Sequence, residues 1–189
     1  MNILSKIIIA AFASLLFYYC TSKPNEVVTD YIYHHNNHNI QTELSNLSDN
    51  ITFEAVDLWI LEGKDKIKNL AEYDSTLNSD LKVYDCIVSK DTVKCKVVEK
   101  NDWFRLLGID SVEYDYSYFI IKDGLIIKIM AKLSNSSIDL ISSKLQSIIK
   151  WASVEQPELL NDLIPEGKFL YTKKSANKWL NIIELWLQK

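Results

Sequence analysis

Asp123-Gly124 stands between two runs in which apolar and polar residues alternate, 110–122 and 125–133. An Asp-Gly pair accepts the positive φ angles of a two-residue hairpin turn, so the runs are expected to pair antiparallel with Lys122 opposite Leu125. That register decides which side chains share a face. Tyr114, Tyr116, Tyr118 and Ile120 are expected to lie with Ile127, Ile129, Ala131 and Leu133, and Glu113, Asp115, Ser117, Lys128 and Lys132 to face the other way. One face is therefore predicted to be apolar with three phenol groups, and the other wet.

A second hairpin is predicted from 81–88 and 92–98 around the turn 89–91. If the turn centres between Lys90 and Asp91, Cys86 falls opposite Cys95 with the Cβ atoms about 4.5–5.5 Å apart, close enough to bridge. Two buried free thiols are the alternative. The same register places Tyr84, Cys86 and Val88 with Val93, Cys95 and Val97, and the stripe runs on to Glu99 and Asn101. A carboxylate that ends an apolar stripe is an acid/base candidate if it is buried there. If it is not, Glu99 lies opposite Lys82 as a cross-strand ion pair. Asn101 is also placed to cap a short helix, 103–107, ahead of Gly108.

Helical periodicities flank these strands. Val28, Tyr31, Ile32 and His35 make one face of a first helix, and Ile40, Leu44 and Leu47 that of a second. The alternation of Ile51, Phe53 and Ala55 predicts a strand over 50–57, and Gly63 breaks the chain before a helix carrying Ile67, Leu70 and Ala71. Ser134 to Ser137 can cap a helix with Ile138, Ile141, Leu145, Ile148 and Ile149. Pro157 opens a short helix, 165–167 interrupts the chain, and a last helix carries Trp179, Ile182, Ile183 and Trp186 on one stripe.

The N-terminus gives an address. Lys6 precedes an apolar run, 7–19, that is too short to span a bilayer but suits a secretory signal peptide. The run ends at Cys20, and the chain then turns polar through 21–25. This resembles a bacterial lipobox, which implies a diacylated Cys20 at the mature N-terminus and a tether over 20–25. Tyr18 and Tyr19 stand where a lipobox has small residues, so ordinary secretion and an uncleaved anchor remain alternatives. The formal net charge is −4 at pH 7, one unit more negative without Lys6. An acidic chain gains nothing from counterion release, so no nucleic-acid partner is expected.

Two short helices, the strand at 51–56, Trp59, the Gly63-Lys64-Asp65-Lys66-Ile67 helix start and the antiparallel meander together resemble the nuclear transport factor 2-like superfamily. This is the cone fold of SnoaL-like polyketide cyclases and ketosteroid isomerases, and 93–108, with its Glu99-x-Asn101-Asp102-Trp103 core, is similar to a stretch in exported SnoaL-like proteins of unassigned function. The resemblance covers about 26–150 and leaves 151–189 as a helical extension. It implies an α+β fold in which a cone-shaped, curved antiparallel sheet packs on the N-terminal helices around an apolar cavity. Tyr114, Tyr116 and Tyr118 would line that cavity together with Tyr31, Trp59 and Glu99. Of the acids near suitable positions, Glu54, Asp74, Glu99 and Asp102, none sits in a recognisable catalytic motif; Glu99 and Asp102 are the catalytic candidates.

Other chemistries fall away. His34 and His38 have the i, i+4 spacing of a zinc pair but lack a third ligand, so a solvated loop is expected and no metal site. Four scattered glycines make no phosphate loop, and no nucleophile elbow is present. No cofactor is expected. The readings left are a noncatalytic binder of a small apolar molecule, an isomerase- or cyclase-type enzyme using Glu99 or Asp102, and an envelope protein acting through Trp179 and Trp186. The expected partners are that small molecule, the membrane through the lipid anchor, and a second copy in a possible homodimer.

Overall fold

The computed structural model describes residues 23–189, so the signal segment and Cys20 lie outside the described residues. Six strands, β1 (Leu47–Ala55), β2 (Trp59–Glu62), β3 (Asp80–Ser89), β4 (Thr92–Lys100), β5 (Val112–Lys122) and β6 (Leu125–Leu133), form one open sheet in the order β2-β1-β6-β5-β4-β3. Neighbours are antiparallel except β1 and β6, which run parallel. The helices are α1 (Pro24–Asn36), α2 (Ile40–Ser45), α3 (Lys64–Thr76), α4 (Asp102–Leu106), α5 (Asn135–Glu155), α6 (Pro157–Leu163) and α7 (Lys173–Leu187), with a short 3-10 turn at Pro165–Gly167. The first helix begins at Pro24 and buries the expected face of Val28, Tyr31, Ile32 and His35.

The Asp-Gly turn sets the expected register: Lys122 lies opposite Leu125, with Asp123 and Gly124 at φ 52° and 78°. The register then slips twice. Tyr114 and Tyr116 face the adjacent residues Leu133 and Lys132, which leaves Asp115 as an extra residue on β5, and Ile127 is extra on β6. Each bulge inverts the alternation beyond it. The concave face therefore carries Tyr114, Ser117, Phe119 and Ile121 on β5, and Ile126, Ile129 and Ala131 on β6. Tyr116 and Tyr118, expected to share the face of Tyr114, instead point to the convex side. Their rings lie 4.9 Å apart there, with the Lys94 ammonium 5.7 and 5.4 Å from the two centroids. Ser117, expected on the wet face, is buried, and Ile126 takes the inner place expected of Ile127.

The β3–β4 hairpin slips as well. Ser89, Val88 and Ile87 pair as expected, but two residues, Asp85 and Cys86, then oppose Cys95 alone, with Asp85 at φ 50°. Cys86 and Cys95 are disulfide-bonded across this bulge. Beyond it Leu81 lies opposite Glu99, and Lys82 opposite Val98. The cross-strand Lys82 and Glu99 ion pair does not form, and Tyr84 leaves the inner stripe to Leu81 and Val83.

Two apolar cores result. One lies between α1 and the sheet and includes Val28, Tyr31, Ile51, Phe119 and Ile129. In the other, α7 and α5 meet the end of α3 and the short α4 around Trp103, Ile148, Trp179 and Ile182. The helical extension 151–189 thus shares a core with the cone. One further sequence expectation needs amendment. Leu47 opens β1 instead of closing the second helix, whose buried side chain is Glu43. The four-residue strand β2 was too short to show periodicity, and the parallel β1–β6 pair leaves no local signal, because the chain between them crosses most of the domain.

Candidate functional site

The concave sheet face, α1, α3 and the first turns of α5 enclose a cavity of about 760 Å³. Most of its lining is apolar: Phe53, Ala55 and Trp59 from β1 and β2, Ile129 and Ala131 from β6, and Ile138, Ile141 and Leu145 from α5. The segment 167–171 closes one side with Phe169 and Tyr171. The Tyr171 ring rests 5.0 Å from Trp59 and 5.5 Å from Tyr73, and Phe169 stacks at 4.9 Å on Trp179.

The polar groups converge at one end of the cavity. Glu99, which continues the inner stripe of Val93, Cys95 and Val97 on β4 as expected, accepts from Tyr114 Oη at 2.6 Å on one oxygen. Its other oxygen accepts from Ser79 Oγ at 3.1 Å and Asn101 Nδ2 at 2.8 Å. Asn101 also performs the expected capping, since its Oδ1 accepts from Phe104 N at 2.8 Å. The network continues outward: His35 Nε2 is 3.4 Å from Ser79 Oγ, and His35 Nδ1 is 3.1 Å from Glu43 Oε1. Because Ser79 gives its hydrogen to Glu99, it can only accept from His35, and an imidazole bonded to Glu43 on its other nitrogen then carries both protons. Burial pulls the His35 pKa down, but the hydrogen-bonded carboxylate of Glu43, with Asp74 and Glu99 behind it, outweighs burial and holds it above its ordinary value.

Asp74 is the unmatched member. It lies on the apolar stripe of α3, one turn beyond Leu70 and Ala71, and lines the cavity. Among the described residues its carboxyl has no hydrogen-bond partner. Burial pushes its pKa up to about 8; the His35 imidazolium opposes the rise, and the charges of Glu99 and Glu43 add to it. Four phenols surround this end. Burial above all, and then the neighbouring carboxyls, hold Tyr31, Tyr73, Tyr114 and Tyr171 protonated, and the Asp74 charge is felt at each of them. The arrangement can offer a ligand an acid or a base, several hydroxyl donors and apolar walls.

Of the residues expected here, Tyr31, Trp59, Glu99 and Tyr114 line the cavity, whereas Tyr116 and Tyr118 do not. Asp102 is also displaced. It follows the inward-turned cap Asn101, so the helix carries it to the outer side, where it accepts from Asn78 Nδ2 at 2.6 Å and Arg105 at 3.0 Å. Glu54 faces the convex side in an ion pair with Lys128 at 2.9 Å. His38, at φ 53°, lies past the end of α1, so His34 and His38 have no common helix face. Among the described residues no group of three or more His, Cys, Asp or Glu side chains is placed to hold a metal ion. Glu43, Ser79, Phe169 and Tyr171 escaped the sequence reading. Glu43 and Asp74 had left a signal, a carboxylate in register with the apolar stripe of its helix.

No protein-family model matches the chain, and no curated protein matches it. Solved structures do. An LEH-like epoxide hydrolase from M. tuberculosis is similar at TM-score 0.54 and 14% identity, over 69% of this chain and 97% of the other. The epoxide hydrolase/cyclase-like enzyme SalBIII, of pyran ring formation in polyether salinomycin, is similar at TM-score 0.54 and 14% identity, over 60% and 92%. A nuclear transport factor 2-like protein of unknown function from Cytophaga hutchinsonii gives 0.51 and 13%, over 62% and 95%. At these identities the likeness carries the fold: the chain has the α+β cone of the nuclear transport factor 2-like superfamily.

Proposed function

We propose that this cone-fold chain is exported by residues 1–19, is held at a bacterial membrane by a lipid on Cys20, and binds a small, largely apolar molecule in its cavity. The single observation that carries the binding role is the cavity itself, about 760 Å³ with apolar walls and polar groups converging at one end, the usual anatomy of a small-molecule site. The disulfide between Cys86 and Cys95 suits an oxidising compartment and so supports export. The neutral apolar fluorophore N-phenyl-1-naphthylamine is expected to bind one per chain with a rise in fluorescence. Ala131→Phe, which fills the middle of the concave face, should weaken it about tenfold or more while leaving the circular dichroism unchanged. Equal binding by both proteins would place the probe outside the cavity and count against the proposal.

The unpaired Asp74 favours a second reading, an isomerase- or cyclase-type enzyme. A carboxyl titrating near neutral pH beside protonated phenols can take a proton next to a carbonyl while a hydroxyl polarises the oxygen. This moves the acid/base role from Asp102 to Asp74, with Glu99 and Tyr114 as a coupled pair beside it. On that reading the protein accelerates α-deuterium exchange of 2-tetralone, and Asp74→Asn lowers the rate by about 100-fold. Exchange no faster than in buffer would contradict the catalytic reading and leave binding standing.

A further inference from the structure

The proposed binding role leaves the ligand's chemistry open, and the charges at the polar end of the cavity narrow it. Three carboxyls, Glu43, Asp74 and Glu99, face one imidazole, and both nitrogens of that imidazole are already engaged by Glu43 and Ser79. Glu99 is satisfied by three donors. Asp74 alone has an oxygen pair with nothing to meet it. Among the described residues the only other basic side chain lining the cavity is Lys168, which is exposed. Facing Asp74 are Tyr31 and His35 of α1, Glu43 of α2, Tyr73 of α3, Glu99 of β4, Tyr114 of β5 and Tyr171 of the closing segment.

Aromatic rings supply the neighbouring wall, with Tyr171 packed between Trp59 and Tyr73. Ring faces carry partial negative charge and attract cations, most strongly where water is excluded. An anion entering this end would meet net negative charge, and a neutral ligand would leave Asp74 held protonated by burial, whereas a cation supplies the one counter-charge that the cluster lacks. We infer that the cavity's ligand is an organic cation, an apolar body with one ammonium-type head seated on Asp74 within the aromatic wall. The inference rests on the binding reading and adds the head group to it. Because Asp74 titrates near neutral pH, seating a cation there also expels a proton from it.

Three ligands with one body and different heads test this: 4-phenylbutylamine, 4-phenylbutan-1-ol and 4-phenylbutyrate, titrated calorimetrically into the mature chain near pH 7.5. The amine is expected to bind about tenfold or more tighter than the alcohol, with the carboxylate weakest. Buffers of different ionisation enthalpy should report proton release on amine binding alone, and Asp74→Asn should abolish both the amine preference and the release. An alcohol that binds as tightly as the amine would overturn the cation inference and leave the cavity reading intact. Failure of all three to bind would overturn both. The wild-type series decides the matter even if the variant does not fold.

Discussion

At pH 9 Asp74→Asn is expected to be more stable than the wild type, by on the order of 2–4 kcal/mol. The Asp74 pKa is raised from 3.8 to about 8 in the folded chain, so between those values the native state holds a proton that the unfolded state has released. This contribution is fully present below pH 3.8 and is lost as pH rises through about 8. An amide of the same size cannot ionise, so the variant should escape that loss and show a flatter stability profile over the window. His35 acts in the same direction with a separate range, since its raised pKa favours folding below its ordinary value and ceases to do so above its folded one. Denaturant melts at pH 5, 7 and 9 check the expectation. A wild type that loses no ground to the variant at alkaline pH would mean that Asp74 is solvated and the site misjudged. A carboxyl kept at such a cost is the kind of strain that binding or catalysis explains better than stability does.

Trp179→Ala should cost about 3–5 kcal/mol, as for other fully buried tryptophans, and lower the melting temperature by roughly 10 °C. Trp179 is fully buried, packs edge-on to Trp103 at 6.3 Å, and is stacked on Phe169. Through Phe169 it holds the segment that carries Tyr171 against Trp59, so the same substitution should loosen the cavity's closing side. Trp179→Phe should cost clearly less, because the indole Nε1 has no partner to lose. Thermal melts of both variants check this. A loss below about 1 kcal/mol for the alanine variant would show that 151–189 is an appendage after all.

The sequence made the frame legible wherever a local rule governed it. The Asp-Gly turn fixed Lys122 against Leu125, Ser134 capped α5 through Ser137 N, and the turn at Lys90 brought Cys86 near Cys95. It misled wherever one extra residue intervened. The bulge at Asp115 is invisible to a strict period of two, yet it moves Tyr116 and Tyr118 out of the cavity and Ser117 in. The slip at Asp85 replaces Lys82 with Leu81 opposite Glu99 and so decides between an ion pair and a cavity carboxylate. Asp74 was legible in kind but not in rank. Its spacing from Ile67, Leu70 and Ala71 put it on the apolar stripe, but its isolation from hydrogen-bond donors depends on how Ser79, Asn101 and Tyr114 are shared, which only the folded chain determines.

Native mass spectrometry of the protein purified from the membranes of its own cells tests the binding claim most directly. The expected species is a mature chain beginning at a diacylated Cys20 and carrying one small molecule, of a size that about 760 Å³ can enclose, which the Ala131→Phe protein lacks. A bare chain, or the same added mass on both proteins, would contradict it.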